Sequence, residues 1–214
     1  MIQRVISSIY RRTIYKVYRS HVNKKLQARL KNKNFSLISN NCIGGITCSD
    51  LAQPFNSPTV GLFFYSDCYL KFCENLEYYL SLELEQATSS KYIDSFPYLL
   101  GKLDDIEIHL IHDTSFAEAK EKWDRRRKRV DFDNLFFVMS DRDICNEGDI
   151  ERFLRLDNGR SVFFGARKRS NLDNYVYCYN EKGDITPQSF ARYRVHEQYF
   201  DMIEWLNSKR IVIS

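Results

Sequence analysis

Three short segments of this chain carry residues whose types and spacing could do chemistry. The first is Ser39, Asn40, Asn41, Cys42, Ile43, Gly44 and Gly45, small polar residues and a glycine pair directly after the apolar run 35–39. Such a loop can turn backbone N–H groups onto an anion, above all where a helix starts. Open α/β sheets bind ligands at the carboxyl end of their strands. Ser39, Asn40, Asn41, Gly44 and Gly45 are therefore expected substrate-binding residues. Cys42 could serve as a nucleophile, its pKa lowered by the same dipoles. The alternative is a tight Gly-Gly turn beside an inert, buried thiol. Neither a Walker loop nor a dinucleotide fingerprint is present.

The second segment is 105–113, with Glu107, His109, His112 and Asp113. A base supported by a carboxylate is what proton transfer or nucleophile activation needs. Two histidines satisfied by ordinary hydrogen bonds read equally well, and His-x-x-His on a strand is a poor metal signal. The third is Asp141-Arg142-Asp143 after the apolar run 135–139. In extended chain, carboxylates at i and i+2 point the same way and can share Mg²⁺ or Mn²⁺ on a diphosphate. That pattern is similar to the acidic motif of nucleotide-sugar glycosyltransferases, and a turn with helix-capping acids fits it as well. In the cationic run 125–129, Arg126 could hold a phosphate, or the run could be a solvated helix face.

The elements that must position these groups alternate. Runs 35–39, 59–65, 135–139, 162–164 and 175–179 read as strands. Residues 105–111 alternate, placing Ile106, Ile108 and Leu110 on one face and Glu107 and His109 on the other. Between them, Ser66 or Asp67 caps a helix through Tyr69, Phe72, Cys73, Leu76, Tyr79 and Leu80. Ser115 and Glu118 form a capping box, and Asn146 caps a third helix. A last helix carries Val195, Tyr199, Met202, Ile203 and Leu206. The pattern predicts a three-layer α/β/α domain over 35–214 with a mostly parallel, mixed sheet.

A basic amphipathic helix and linker precede it over 1–34. Ile2, Val5, Ile6, Ile9, Thr13, Val17, Val22, Leu26 and Leu30 recur at helical steps among ten Lys and Arg and no acid. Of the chain's 32 basic and 28 acidic residues, 22 and 28 remain in the rest, so the net charge of +4 averages a cationic helix with an acidic body. The helix could pack on the body, lie on an anionic membrane through residues 1–30, or meet nucleic acid. The acidic body gives no reason to expect nucleic acid. No run approaches the ~18 apolar residues that span a bilayer, and the N-terminus does not read as a secretory signal. A cytoplasmic protein is expected, peripheral on the inner face of the cytoplasmic membrane if the helix binds lipid. Six cysteines without a C-x-x-C pair suggest neither a disulfide scaffold nor zinc.

Several stretches together resemble one bacterial family, the exopolysaccharide-biosynthesis family known as domain of unknown function 1919. They are FSLISNNCIGG (35–45), FNSPTVGLFF (55–64), FCENLEYYL (72–80), the run 101–143 ending in FFVMSDRD, and VFFGARK (162–168). The resemblance implies a three-layer α/β/α fold and a role beside capsule, exopolysaccharide or lipopolysaccharide genes. Members usually carry a bulky aromatic after the cysteine of the NNC loop, where this chain has Ile43. The expected function is a transferase acting on a sugar nucleotide, or on a lipid-linked saccharide, with phosphate held by the 39–45 loop and cations. The alternatives are a non-catalytic membrane-surface accessory protein and a Cys42–His112 acyltransferase or hydrolase.

Overall fold

The computed structural model describes residues 2–142, 144–156, 159–169, 172–179 and 185–213, with 2–12 and 187 described by backbone alone. A long helix, α1 (Ile2–Arg29), leads into β1 (Ser36–Ser39) and α2 (Ile43–Asp50). After an irregular stretch come α3 (Ser66–Glu74) and α4 (Leu76–Ser81), then the meander β2 (Glu85–Ala87), β3 (Leu99–Leu103) and β4 (Ile106–Leu110). α5 (Phe116–Arg127) returns the chain to β5 (Leu135–Ser140). There follow α6 (Glu147–Leu154), β6 (Ser161–Gly165), β7 (Tyr175–Tyr177), α7 (Pro187–Ala191) and α8 (Met202–Ser208).

β1, β5, β6 and β7 form a parallel sheet in that order, with Ser36 opposite Leu135 and Phe137 opposite Ser161. Every residue of β1, β5 and β6 is buried, which is why they read as runs of apolar and small residues. Successive residues serve opposite layers. Ile38, Phe137, Met139 and Phe163 pack under α3, α4, α6 and Trp123 of α5. Leu37, Phe136, Val138, Val162 and Phe164 pack under α2, α8, Leu30 and Phe190. These are the three expected layers.

β2, β3 and β4 make a small antiparallel sheet. Residues 59–65, read as a strand, contribute a single bridge instead. Phe63 and His109 exchange backbone hydrogen bonds of 3.0 Å each way, and the Phe64 N–H donates to the Asn40 carbonyl at 3.1 Å. Gly61 at φ +86° turns the chain just before it, so that only this point reaches strand geometry. The stitch joins the two sheets and makes the whole mixed, as expected.

Helix starts follow local chemistry. Asn146 and Asp149 form a reciprocal capping box on α6. Ser115 accepts from the Glu118 N–H, but the Glu118 carboxylate turns to Thr114 and Lys122 rather than back to the cap. α3 begins at Ser66 with Tyr65 as its cap residue. The expected last helix divides into a 3₁₀ turn at Val195–Gln198 and α8, whose start Asp201 caps by accepting from Ile203 and Glu204 at 3.1 Å.

The second half of α1 lies on the domain. Leu26 and Leu30 join the core, and Arg19 reaches Asp50 at 3.1 Å and Glu197 at 2.7 Å. Arg29 pairs with Asp201. The packed reading of the basic helix thus holds from about residue 15 onward. Among the described residues no helix is long and apolar enough to cross a membrane.

Candidate functional site

The 59–64 segment reaches the end of β1, with the Ser39 N–H donating to Thr59 Oγ1 at 3.2 Å and the Phe64 N–H to the Asn40 carbonyl at 3.1 Å, while β5 pairs alongside β1. Open α/β sheets bind ligands in a crevice outside the carboxyl ends of the strands. There β1 ends in Ser39, Asn40 and Asn41, and β5 ends in Ser140, all four buried. They are tied together. The Asn41 amide donates to Asn40 Oδ1 at 3.0 Å and to Ser140 Oγ at 2.8 Å, and the Ser140 N–H donates to Asn40 Oδ1 at 3.3 Å. Asn41 Oδ1 accepts from Ile43 N–H at 3.1 Å, and Ser39 Oγ accepts from Gly44 N–H at 3.2 Å. The two amides at the head of α2, candidates for an anion cradle, are thus committed to the loop's own side chains. Gly44 allows this, since a Cβ there would stand 2.6 Å from Ser39 Oγ. At Gly45 a Cβ would meet Val60 at 2.9 Å, so its absence lets the 55–60 segment approach. Cys42, half-buried, occupies the cap position of α2.

Beside this turn, the ends of β5 and β6 frame a cleft of about 360 Å³ whose walls include Asp141, Cys145, Glu147, Arg167 and Arg169. Asp141 Oδ2 accepts from the Ala166 N–H at 2.7 Å, clasping the two strand ends. Tyr175 on β7 donates its hydroxyl to the Arg167 carbonyl at 2.6 Å, and the Arg169 guanidinium lies 5.6 Å from the Tyr175 ring while pairing with Glu147. Gly165 makes room for that tyrosine, because any Cβ would overlap its hydroxyl. Two helices begin at the rim: α6 at Asn146, and α3 at Ser66, whose hydroxyl donates to the Arg142 carbonyl at 3.1 Å. Burial pushes the Cys145 thiol up to about 12, so it stays protonated near neutrality. Asp143, the second carboxylate of the expected metal pair, lies outside the described residues.

Glu107 and His109 do sit together, with Nε2 and Oε2 3.8 Å apart. The polar face expected for them is covered, however. His109 is fully buried, with Phe63 stacked on it and Tyr65 and Tyr98 edge-on at 5.0 and 5.6 Å. Its Nδ1 shares a hydrogen bond of 3.2 Å with the Tyr98 hydroxyl. Burial holds its pKa down to about 4 against the weaker pull of Glu107. Glu107 itself accepts from Ser90 Oγ and the Lys91 N–H at 2.7 Å each. His112 is exposed past the strand end, and Asp113 turns to Lys122 at 2.9 Å. Arg126 donates to the Val60 carbonyl at 2.7 Å and lies 5.3 Å from the Phe55 ring, strapping that segment down.

Of the expected site residues, then, the 39–41 turn meets Ser140 and the strand end that carries Asp141. Glu107 and His109 stand one bridge away, through Phe63 and Phe64. His112 and Arg126 serve other surfaces. Arg167, Arg169 and Tyr175 went unnoticed in the sequence, although a small residue followed by cations after the apolar run 162–164 is itself a signal of a strand-end loop. Residues 13–207 match the family described as Domain of unknown function (DUF1919). An "Uncharacterized protein" of Haemophilus influenzae is 36% identical over 199 residues, covering 91% of this chain and 94% of that one.

Proposed function

From the premise that this chain belongs to the DUF1919 family, we propose that it is a transferase of bacterial exopolysaccharide, capsule or lipopolysaccharide synthesis. Its substrate is a phosphate-containing activated sugar or a lipid-linked glycan. One observation carries the reading: the cleft at the ends of β5 and β6 combines two arginines, two carboxylates and a helix start. Arg167 supplies charge that a phosphate or diphosphate needs, and Arg169 adds its own on exchanging Glu147 for the ligand. Asp141, oriented by the Ala166 N–H, is placed to accept a proton from an attacking hydroxyl. Mg²⁺ or Mn²⁺, if bound, would neutralise diphosphate charge beside Asp141. The steps assigned use the chain's own groups. The reading places the protein at the inner face of the cytoplasmic membrane, where lipid-linked saccharides are met.

The test is a thermal-shift series with sugar nucleotides and inorganic diphosphate, with and without Mn²⁺. A ligand at about 100 times its Kd adds about 2.7 kcal/mol, or several degrees for a chain of this size. Wild type should gain that shift, Arg167→Ala should lose it, and Asp141→Asn should lose only the part that depends on Mn²⁺, both variants keeping a cooperative transition. If no phosphate-bearing ligand moves the wild type, and both variants restore polysaccharide to a deletion strain, the reading is wrong.

A further inference from the structure

We propose that the outward face of α1 docks on an anionic lipid bilayer with the helix lying in the plane of the membrane. The inference deepens the localisation part of the reading above and does not depend on its chemistry.

The helix sorts its side chains. Towards the body it turns Arg19, Asn23, Gln27 and Leu30, and its cations there meet acids: Arg19 is held by Asp50 and Glu197, Arg29 by Asp201. The opposite side is a stripe at helical spacing, Ile14, Val17, Tyr18, His21 and Lys25, all of it exposed. Val17 is 67% and Tyr18 62% exposed, on a helix whose other half is well packed. Apolar residues left in water at i, i+3 and i+4 call for a cover.

Charge selects what covers them. Lys24 and Lys25 flank or extend the stripe, and neither forms an ion pair among the described residues. No acid occurs anywhere in residues 1–34. The surface that fits is therefore anionic with an apolar interior just beneath, which is a bilayer rich in acidic headgroups. A second copy fits less well. Three apolar side chains fall short of the roughly 800 Å² per partner of a stable dimer, and a symmetric pair would bring lysines against lysines. Tyr18 suits the headgroup zone, its ring apolar and its hydroxyl wet.

Sedimentation of the full chain with vesicles tests this, using phosphatidylcholine alone and with about 30 mol% phosphatidylglycerol, at about 0.05 and about 0.5 M salt. Binding should require the anionic lipid and weaken at high salt. Lys24→Gln/Lys25→Gln should weaken it about fivefold per lysine. Val17→Ser/Tyr18→Ser, which keeps every charge, should weaken it at least about tenfold. Both variants alter exposed side chains only, so an unchanged melting temperature and an unchanged sugar-nucleotide shift would separate this result from the fate of the cleft. Absence of binding to anionic vesicles overturns the proposal. So does equal binding to both vesicle types, or a dimer that Val17→Ser/Tyr18→Ser dissociates, or an oligonucleotide that binds tightly through the same lysines.

Discussion

The imidazole of His109 lies 4.4 Å from the ring of Phe63 and nearly parallel to it, while the backbones of the same two residues exchange both hydrogen bonds of an antiparallel bridge. Phe64 then donates to Asn40 at the head of the crevice. His109 is thus the point where the small sheet is fastened to the large one. Packing against Phe63, Tyr65 and Tyr98 leaves no room for water to solvate a charged imidazolium, so neutrality is built into the join.

That neutrality makes stability depend on pH. In the folded chain His109 is held down to about 4, and His196, packed against Phe164 and Phe190 near Arg194, down to about 3. Both lie below the ordinary value near 6.5, so the unfolded chain takes up protons first. Stability is therefore full above pH ~6.5 and falls with pH down to the folded values, by about 2 kcal/mol for each histidine at pH ~5. Urea unfolding at the two pH values should show this loss, and His109→Gln or His196→Gln should shrink it by about half. A midpoint that does not move between neutral and acid would contradict the burial argument.

How much of this was legible in the sequence depended on what buries each segment. Runs 135–139 and 162–164 are apolar throughout, and 35–39 apolar but for two small serines, because both faces of the parallel sheet are covered, and each proved to be a strand. Residues 59–65 look just as strand-like. Thr59, however, turns its hydroxyl to the Ser39 N–H at 3.2 Å, and Gly61 takes positive φ, so only Phe63 pairs. β2 is short and polar and leaves no periodic trace. The alternation in β4 placed Glu107 and His109 on one side, but no local pattern announces that Phe63 covers that side. The 39–45 loop was found at the right strand end. That its donors are consumed internally depends on Ser140, a hundred residues away, and the arginines after β6 gain meaning only once β6 is known to lie beside β5.

Gly44→Ala should destabilise the turn by about 1–3 kcal/mol, the usual range for overpacking. The added Cβ would press on Ser39 Oγ at 2.6 Å and on the Leu37 carbonyl at 3.2 Å. Ser39→Ala alone removes an acceptor of the Gly44 N–H and should also cost stability. The double variant should lose less than the two costs added, because the first clash disappears with the hydroxyl. Urea midpoints of the four proteins measure the coupling. Strict additivity would mean that the backbone contact, and not the hydroxyl, sets the limit.

Thiol reactivity should follow burial. Cys48, Cys145 and Cys178 are each pushed up to about 12 and Cys73 upward as well, in every case chiefly by burial. At neutral pH iodoacetamide should leave these four unmodified over a time in which urea-unfolded protein is labelled at all six cysteines. Cys145 is the informative one, since it borders the cleft and is only half-buried. Mass spectrometry of peptides from the native reaction reads it directly, and labelling of Cys145 at the rate of an open thiol would sink the argument.

Asp50 should matter more to the docking of α1 than any other acid it meets. Its carboxylate accepts from Arg19 at 3.1 Å, Arg194 at 3.0 Å and Asn23 at 2.9 Å, and its side chain is 13% exposed. Asp50→Asn would leave two guanidiniums close together with Glu197 as their remaining acid. Removing one partner of a buried ion network strands the other charges, at about 3 kcal/mol. Arg29 and Asp201 provide the contrast, as Arg29 is 51% exposed. There water replaces the lost partner, so Arg29→Ala should cost no more than about 1 kcal/mol. Urea unfolding gives both values, and limited proteolysis within residues 13–30 shows whether the helix has lifted. Adding Arg19→Met to Asp50→Asn should restore part of the loss, because it removes one of the stranded cations. If Asp50→Asn and Arg29→Ala prove equally mild, hydrophobic contacts of Leu26 and Leu30 hold the helix, and the ion network only follows.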